Sequence, residues 1–298
     1  MKPALRIIEV GPRDGLQNER TPLPTADKLH FINHLVRAGL GEIEATSFVS
    51  PKWVPQLADA DELATLLPQG PQYSALVPNE RGLARLLATP IDRIALFTAA
   101  SDEFTKRNIN MTVAESLDAF RPVVEQFRAV RPDGFIRGYV STVVQCPYAG
   151  MIPPQRVSEV TEALFALGVN EVSLGETIGV AVPEEIQALI GELTNWPKDK
   201  IVWHFHDTRG TAIANAAIAM EAGYMAFDAS AGGLGGCPYA KGAGGNMATE
   251  DLVYFAERNG ISTGVNLMEL AQASLPVLAL LGKPPTAKSQ LAALAEEH

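Results

Sequence analysis

The chain has 298 residues, 47% hydrophobic and 19% charged, which suits one α/β barrel of about 250 residues with additions. A formal net charge of −10 argues against a non-specific nucleic-acid or membrane-surface binder, which would carry a basic stripe. Two cysteines, Cys146 and Cys237, make no disulfide framework, no apolar run approaches the roughly 18 residues that span a bilayer, and residues 1–6 run straight into a strand-like segment without a signal peptide. A soluble, cytoplasmic protein is expected.

Short apolar runs alternate with longer amphipathic ones. Strands are predicted over 5–10, 42–46, 72–76, 93–97, 136–141, 171–174, 201–206 and 226–230. Several are rich in Ile and Val without polar alternation, as in strands buried on both faces. Helices are predicted over 26–38, where Gly39 stops the pattern, and over 113–130, 154–167, 183–193, 212–222 and 249–259. After Gly260 the chain reads as more helix, then a polar stretch near 284–289 and a final Ala-rich helix. Eight strands with intervening helices predict a (β/α)8 TIM barrel over about 5–260 with a C-terminal helical extension over 261–298, in one domain. A doubly wound open sheet is the alternative, because strand count alone does not close a barrel.

Barrel chemistry sits at the C-terminal ends of the strands. The seventh predicted strand carries Val202-Trp203-His204-Phe205-His206-Asp207. Residues i and i+2 of a strand share a face, so His204 and His206 aim at one point, as a divalent metal requires. Strand 1 ends in a charged loop, Glu9 to Glu19, containing Arg13, Asp14 and Gln17. Strand 2 carries Glu44 and ends in Thr46-Ser47, and strand 6 ends in Gly175-Glu176-Thr177. Strand 8 runs into a glycine-rich segment, 232–246, with Cys237 and Asn246. Two imidazoles with Asp14 and the Asn246 amide oxygen make a mixed N/O set suited to Mg2+ or Mn2+, and no cysteine pair has zinc spacing. The glycine-rich segment reads either as a phosphate-binding or flexible loop or as a mobile lid carrying a thiol over the metal. No P-loop and no dinucleotide fingerprint is present. His30 and His34 read as surface or packing residues, and Cys146 as an apolar filler.

These motifs resemble the 3-hydroxy-3-methylglutaryl-CoA lyases of the DRE-TIM metallolyase superfamily. Glu9-Val10-Gly11-Pro12-Arg13-Asp14-Gly15-Leu16-Gln17-Asn18-Glu19 is similar to the strand-1 signature, 47–56 to the loop after strand 2, and Gly233 to Gly242 to the lid signature. The resemblance covers nearly the whole chain. It implies a barrel with Mg2+ or Mn2+ on Asp14, His204, His206 and Asn246, supported by Glu44, and an acyl-CoA substrate. The implied reaction is retro-Claisen cleavage to acetyl-CoA and acetoacetate. Arg13 would stabilise the enolate, Cys237 would take part in proton transfer, and Gln17 would lie near the substrate. His204 would double as proton relay and Glu176 would move the hydroxyl proton; Ser47 and Arg209 join Arg13 and Gln17 as substrate-binding candidates. The chain departs from the family in two places: Glu176 stands where the family has Asp, and Arg209 where it has Tyr. These departures motivate a same-chemistry lyase acting on another 3-hydroxyacyl-CoA as one alternative, and a related metal-dependent aldolase is the other. A homodimer is the protein partner considered, with no nucleic acid and no membrane.

Overall fold

The structure is a computed structural model that describes residues 4–236 and 245–296. Its frame is eight parallel strands: β1 (Arg6–Glu9), β2 (Glu42–Ser47), β3 (Gln72–Leu76), β4 (Arg93–Ala99), β5 (Phe135–Ser141), β8 (Glu171–Glu176), β9 (Ile201–Phe205) and β10 (Ala226–Ala229). A small antiparallel hairpin, β6 (Gln145–Cys146) and β7 (Gly150–Met151), interrupts the series. The eight close in the order β1-β10-β9-β8-β5-β4-β3-β2, which excludes the open sheet. Every predicted strand is present, with ends within two residues of the expectation.

The helices α1 (Thr25–Arg37), α2 (Ala60–Leu66), α3 (Glu80–Leu87), α4 (Asp102–Ile109), α5 (Val113–Val130), α6 (Pro154–Ala166), α7 (Pro183–Glu192), α8 (Ala212–Glu221) and α9 (Thr249–Arg258) accompany the barrel. The C-terminal extension follows as α10 (Leu267–Ala273), α11 (Leu275–Leu280) and α12 (Lys288–Ala295). Three short helices, α2 to α4, were not in the sequence reading. Two of them have good N-caps: Asn79 accepts from the Gly82 N–H, and Ser101 from that of Phe104. Gly39 ends α1 with φ +101°, and a Cβ there would come within 2.5 Å of the Gly264 carbonyl oxygen, so the junction of α1 with the C-terminal extension requires glycine. Among the described residues no helix is long and apolar enough to cross a membrane.

Strand alternation sorts side chains into two regions. Outward residues such as Ile43, Ile94, Val172, Trp203 and Phe227 join the large core between strands and helices. Inward residues are unusually polar. At the N-terminal end of the barrel Arg6 bridges Glu42 (2.7 Å) and Glu171 (2.6 Å). Above them Arg137 joins Glu171 (2.5 Å) to Asp228 (2.8 Å), all three buried. Buried charges persist only when each is paired and hydrogen-bonded, and this line of alternating sign meets that condition.

Candidate metal centre and active site

β1 leaves the barrel through a π-helical turn, Gly11–Gly15, which carries Arg13 and Asp14. The turn is anchored by the buried Glu9. Its Oε1 accepts from the Gly11 N–H (2.8 Å) and the Ala231 N–H (3.0 Å), and its Oε2 from the Thr249 hydroxyl (2.6 Å). Burial pushes Glu9 up to about 7. Arg13 is buried and held on two sides: Nη1 donates to Asp14 Oδ1 (2.7 Å) and Nη2 to Glu44 Oε2 (2.9 Å). Gln17 Oε1 lies 3.4 Å from Nη1. The Tyr139 hydroxyl donates to the same Glu44 oxygen (2.7 Å). Arg13 Nε is buried and has no partner among the described residues.

The barrel brings Asp14, His204 and His206 together, with one potential ligand atom from each inside a 4.8 Å span. Both imidazoles are oriented from behind. His204 Nδ1 lies 3.2 Å from Asp228 Oδ2, and His206 Nδ1 lies 2.9 Å from the Glu176 carbonyl oxygen. Each ring therefore donates from Nδ1 and presents Nε2 to the centre, as oriented metal ligands do. His204 Nε2 is 3.9 Å from Asp14 Oδ2. Asn246 arrives from the far side of the glycine-rich segment through an antiparallel bridge to His206. In that bridge the Met247 N–H donates to the Phe205 carbonyl (2.9 Å) and the Asp207 N–H to that of Gly245 (3.1 Å). A Cβ on Gly245 would sit 1.6 Å from the Gly233 carbonyl oxygen, so the two ends of the segment meet there only with glycine.

The donor set fits a divalent cation. Asn246 Nδ2 donates to Asp14 Oδ2 (2.9 Å) and to the Leu234 carbonyl (3.1 Å), while its Oδ1 is buried with no partner among the described residues. A buried acceptor left unmatched in protein calls for a cation or a donor from outside the chain. Burial would raise the Asp14 carboxyl, but Arg13, His204, His206 and Asn246 hold it down at about 2. Burial and the neighbouring His204 push His206 down to about 4. Burial lowers His204, but its hydrogen bond to Asp228 and the charges of Asp228 and Asp14 raise it on balance, so a cation bound here would displace a proton from that ring.

Several buried polar residues around the site are given no role by the sequence alone. Asp228 takes three contacts: Arg137 Nη1 at 2.8 Å on Oδ1, and the Ser173 hydroxyl (2.7 Å) with His204 Nδ1 on Oδ2. Arg137, Ser173, Asp228 and Tyr139 lie on strands with the parity that faces the barrel axis. Polar residues spaced by two inside apolar strands were the signal that could have found them. Glu250, whose two oxygens lie 2.9 Å from the Gly232 N–H, is a fifth, and burial pushes it up to about 8.

Other predicted residues take other partners. Glu176 pairs in register with Phe205, one place beyond the pairing of Gly175 with His204, and its Oε1 accepts from the Val180 N–H (3.0 Å). Its Oε2 is buried with no partner among the described residues. Arg209 is exposed and donates to the Ile178 (3.2 Å) and Gly179 (3.0 Å) carbonyls of the same turn. Ser47 is buried, donating to the Leu76 carbonyl and accepting from the Val49 N–H, both at 3.3 Å, so it stitches its loop. Cys237 lies outside the described residues.

Comparison with known proteins agrees with this geometry. The HMGL-like family model matches residues 4–277. The chain is 46% identical over 287 residues to the hydroxymethylglutaryl-CoA lyase, mitochondrial, of Bos taurus, covering 95% of this chain and 88% of that one. It is 44% identical to the 3-hydroxy-3-isohexenylglutaryl-CoA/hydroxy-methylglutaryl-CoA lyase of Pseudomonas aeruginosa, covering 98% of each. Among solved structures, the hydroxymethylglutaryl-CoA lyase from Pseudomonas aeruginosa superposes with a TM-score of 0.95 at 43% identity over 99% of both chains. By this match over nearly its whole length, the chain belongs to the HMGL-like family.

Proposed function

We propose that the chain is a divalent-metal-dependent carbon–carbon lyase that cleaves 3-hydroxy-3-methylglutaryl-CoA to acetyl-CoA and acetoacetate. The observation that carries this is the meeting of Asp14, His204 and His206 with the unmatched Asn246 Oδ1, beside a buried arginine, at one barrel mouth. Asp14, His204, His206 and Asn246 would hold Mg2+ or Mn2+. A bound ion of that kind supplies Lewis acidity that lowers the pKa of a coordinated hydroxyl.

The protein's own groups do the rest. Glu176, whose Oε2 has no partner among the described residues, would take the proton of the tertiary hydroxyl; the bond between C2 and C3 of the acyl chain then breaks, acetoacetate leaves, and the electron pair stays on the thioester as an enolate. Arg13 is assigned to that oxygen: Asp14 and Glu44 hold its two Nη atoms, leaving the unpartnered Nε–H for the substrate. A preorganised donor in a buried site stabilises developing charge without reorganising. Glu44 positions Arg13 and is itself steadied by Tyr139. Asp228 holds His204 Nδ1 so that Nε2 stays free for the metal. Cys237, carried between Gly233 and Asn246, is the thiol assigned to protonate the enolate. Gln17 lines the substrate side through its approach to Arg13.

The test is turnover of purified, chelator-stripped protein with the thioester and added Mg2+ or Mn2+. Acetyl-CoA and acetoacetate should appear in equal amounts, and none without metal. Absence of product from metal-loaded protein overturns the reading. A second reading keeps the reaction and changes the 3-substituent, motivated by Arg209 beside the 178–180 turn and by a relative named for an isohexenyl substrate. Higher kcat/KM on a longer-branched 3-hydroxyglutaryl thioester would select it.

A further inference from the structure

α1 carries a second pair of histidines, unconnected with the barrel mouth. Lys28, Phe31, Ile32 and Leu35 turn into the protein, which leaves His30 exposed and His34 partly exposed on the outer face. Four residues apart on a helix, the two rings are neighbours. Their Nε2 atoms lie 2.9 Å apart, with ring centroids at 4.4 Å and planes at 63°. Two imidazole nitrogens about 2.1 Å from one octahedral or square-planar ion such as Ni2+ or Cu2+, at a right angle to each other, are about 3.0 Å apart. The pair therefore already has the bite of a chelate.

Its other surroundings permit a cation. Neither ring has a carboxylate partner among the described residues. The same helix carries Asp27 three residues before His30 and Arg37 three after His34, so the flanking charges balance. Imidazole nitrogens without oxygen ligands select Ni2+ or Cu2+ over Mg2+, and the 2.9 Å spacing is narrower than the about 3.4 Å of a tetrahedral zinc pair.

We propose that His30 and His34 form a surface chelate for a borderline divalent ion, separate from the site of Asp14, His204 and His206. On binding, the Nε2 proton now shared between the rings moves by way of solvent to Nδ1, so two neutral rings bind with no net proton release. Water fills the remaining coordination positions.

The experiment is a Ni2+ titration of the intact protein by calorimetry, on wild type, His30→Ala, His34→Ala and His206→Ala. Wild type should bind two ions per chain. His30→Ala and His34→Ala should each lose one, with at least a tenfold weakening of that class, while keeping wild-type circular dichroism and wild-type turnover with Mg2+. His206→Ala should lose the other class and keep the surface ion. Two full-strength ions in either His30→Ala or His34→Ala, or a single ion in wild type, would overturn the proposal.

Discussion

Asp228→Asn tests the idea that the ion-pair line in the barrel sets the metal centre. Asparagine keeps the shape of aspartate but turns one acceptor oxygen into a donor amide. Asp228 now accepts from three groups, Arg137, Ser173 and His204. Whichever way the amide is turned, an N–H then faces Arg137 Nη1 or His204 Nδ1, and one donor goes unmatched at a cost of about 1–3 kcal/mol. Arg137 keeps Glu171, so the loss stays nearer the lower bound of the roughly 3–5 kcal/mol seen when a buried ion pair is broken. Removing the group that orients a ligand histidine weakens metal binding about 10–100-fold, equivalent to about 1.4–2.7 kcal/mol. Mn2+ affinity read by electron paramagnetic resonance, beside thermal unfolding of the metal-free protein, separates the two losses. Ser173→Ala, which deletes one contact and no charge, should weaken Mn2+ far less. A lowered melting temperature with Mn2+ affinity within twofold of wild type would refute the link from Asp228 through His204 to the metal.

Three further outcomes are expected. Arg13→Lys loses the planar fork that spans Asp14 and Glu44 and the free Nε–H, so turnover should fall about 100-fold or more while Mn2+ still binds; unchanged kcat in a purified variant rejects the role. Glu176 accepts from the 178–180 turn and Arg209 donates to it, so Glu176→Gln and Arg209→Ala should be non-additive in KM, and strictly multiplicative effects reject a shared clamp. Burial raises Glu9 to about 7 and Glu250 to about 8 from 4.5. For a raised acid the stabilisation is complete below the unfolded value and is lost as pH climbs through the folded one, so the melting temperature should start to fall near pH 4.5 and level off above about pH 8. Glu250→Gln should flatten that slope, and an identical slope in the variant rejects the assignment.

The barrel was legible because its strands are apolar on both faces and its long helices keep a clear stripe. α2, α3 and α4 were missed because seven or eight residues give too little periodicity, although Asn79 and Ser101 marked two of their starts. At the site, His204 and His206 were readable from local spacing alone, and Asp14 from its place just past a strand end. Arg137 and Asp228 were not, because their pairing spans 91 residues and depends on how strands register around a closed sheet. Glu176 also serves the centre through its carbonyl, which holds His206, and a main-chain role leaves no trace in residue identity.

The alternating line Arg6, Glu171, Arg137, Asp228 and His204 has a consequence for how variation spreads through this protein. Arg6 also pairs with Glu42, but the buried members Glu171, Arg137 and Asp228 depend on one another, so losing one strands a surplus charge on the next. A substitution at Glu171, toward the end of the barrel remote from the chemistry, leaves Arg137 to Asp228 and so bears on the carboxylate that holds His204. Mutational libraries for activity should include Glu171 and Arg137, and natural changes there should arrive in compensated pairs.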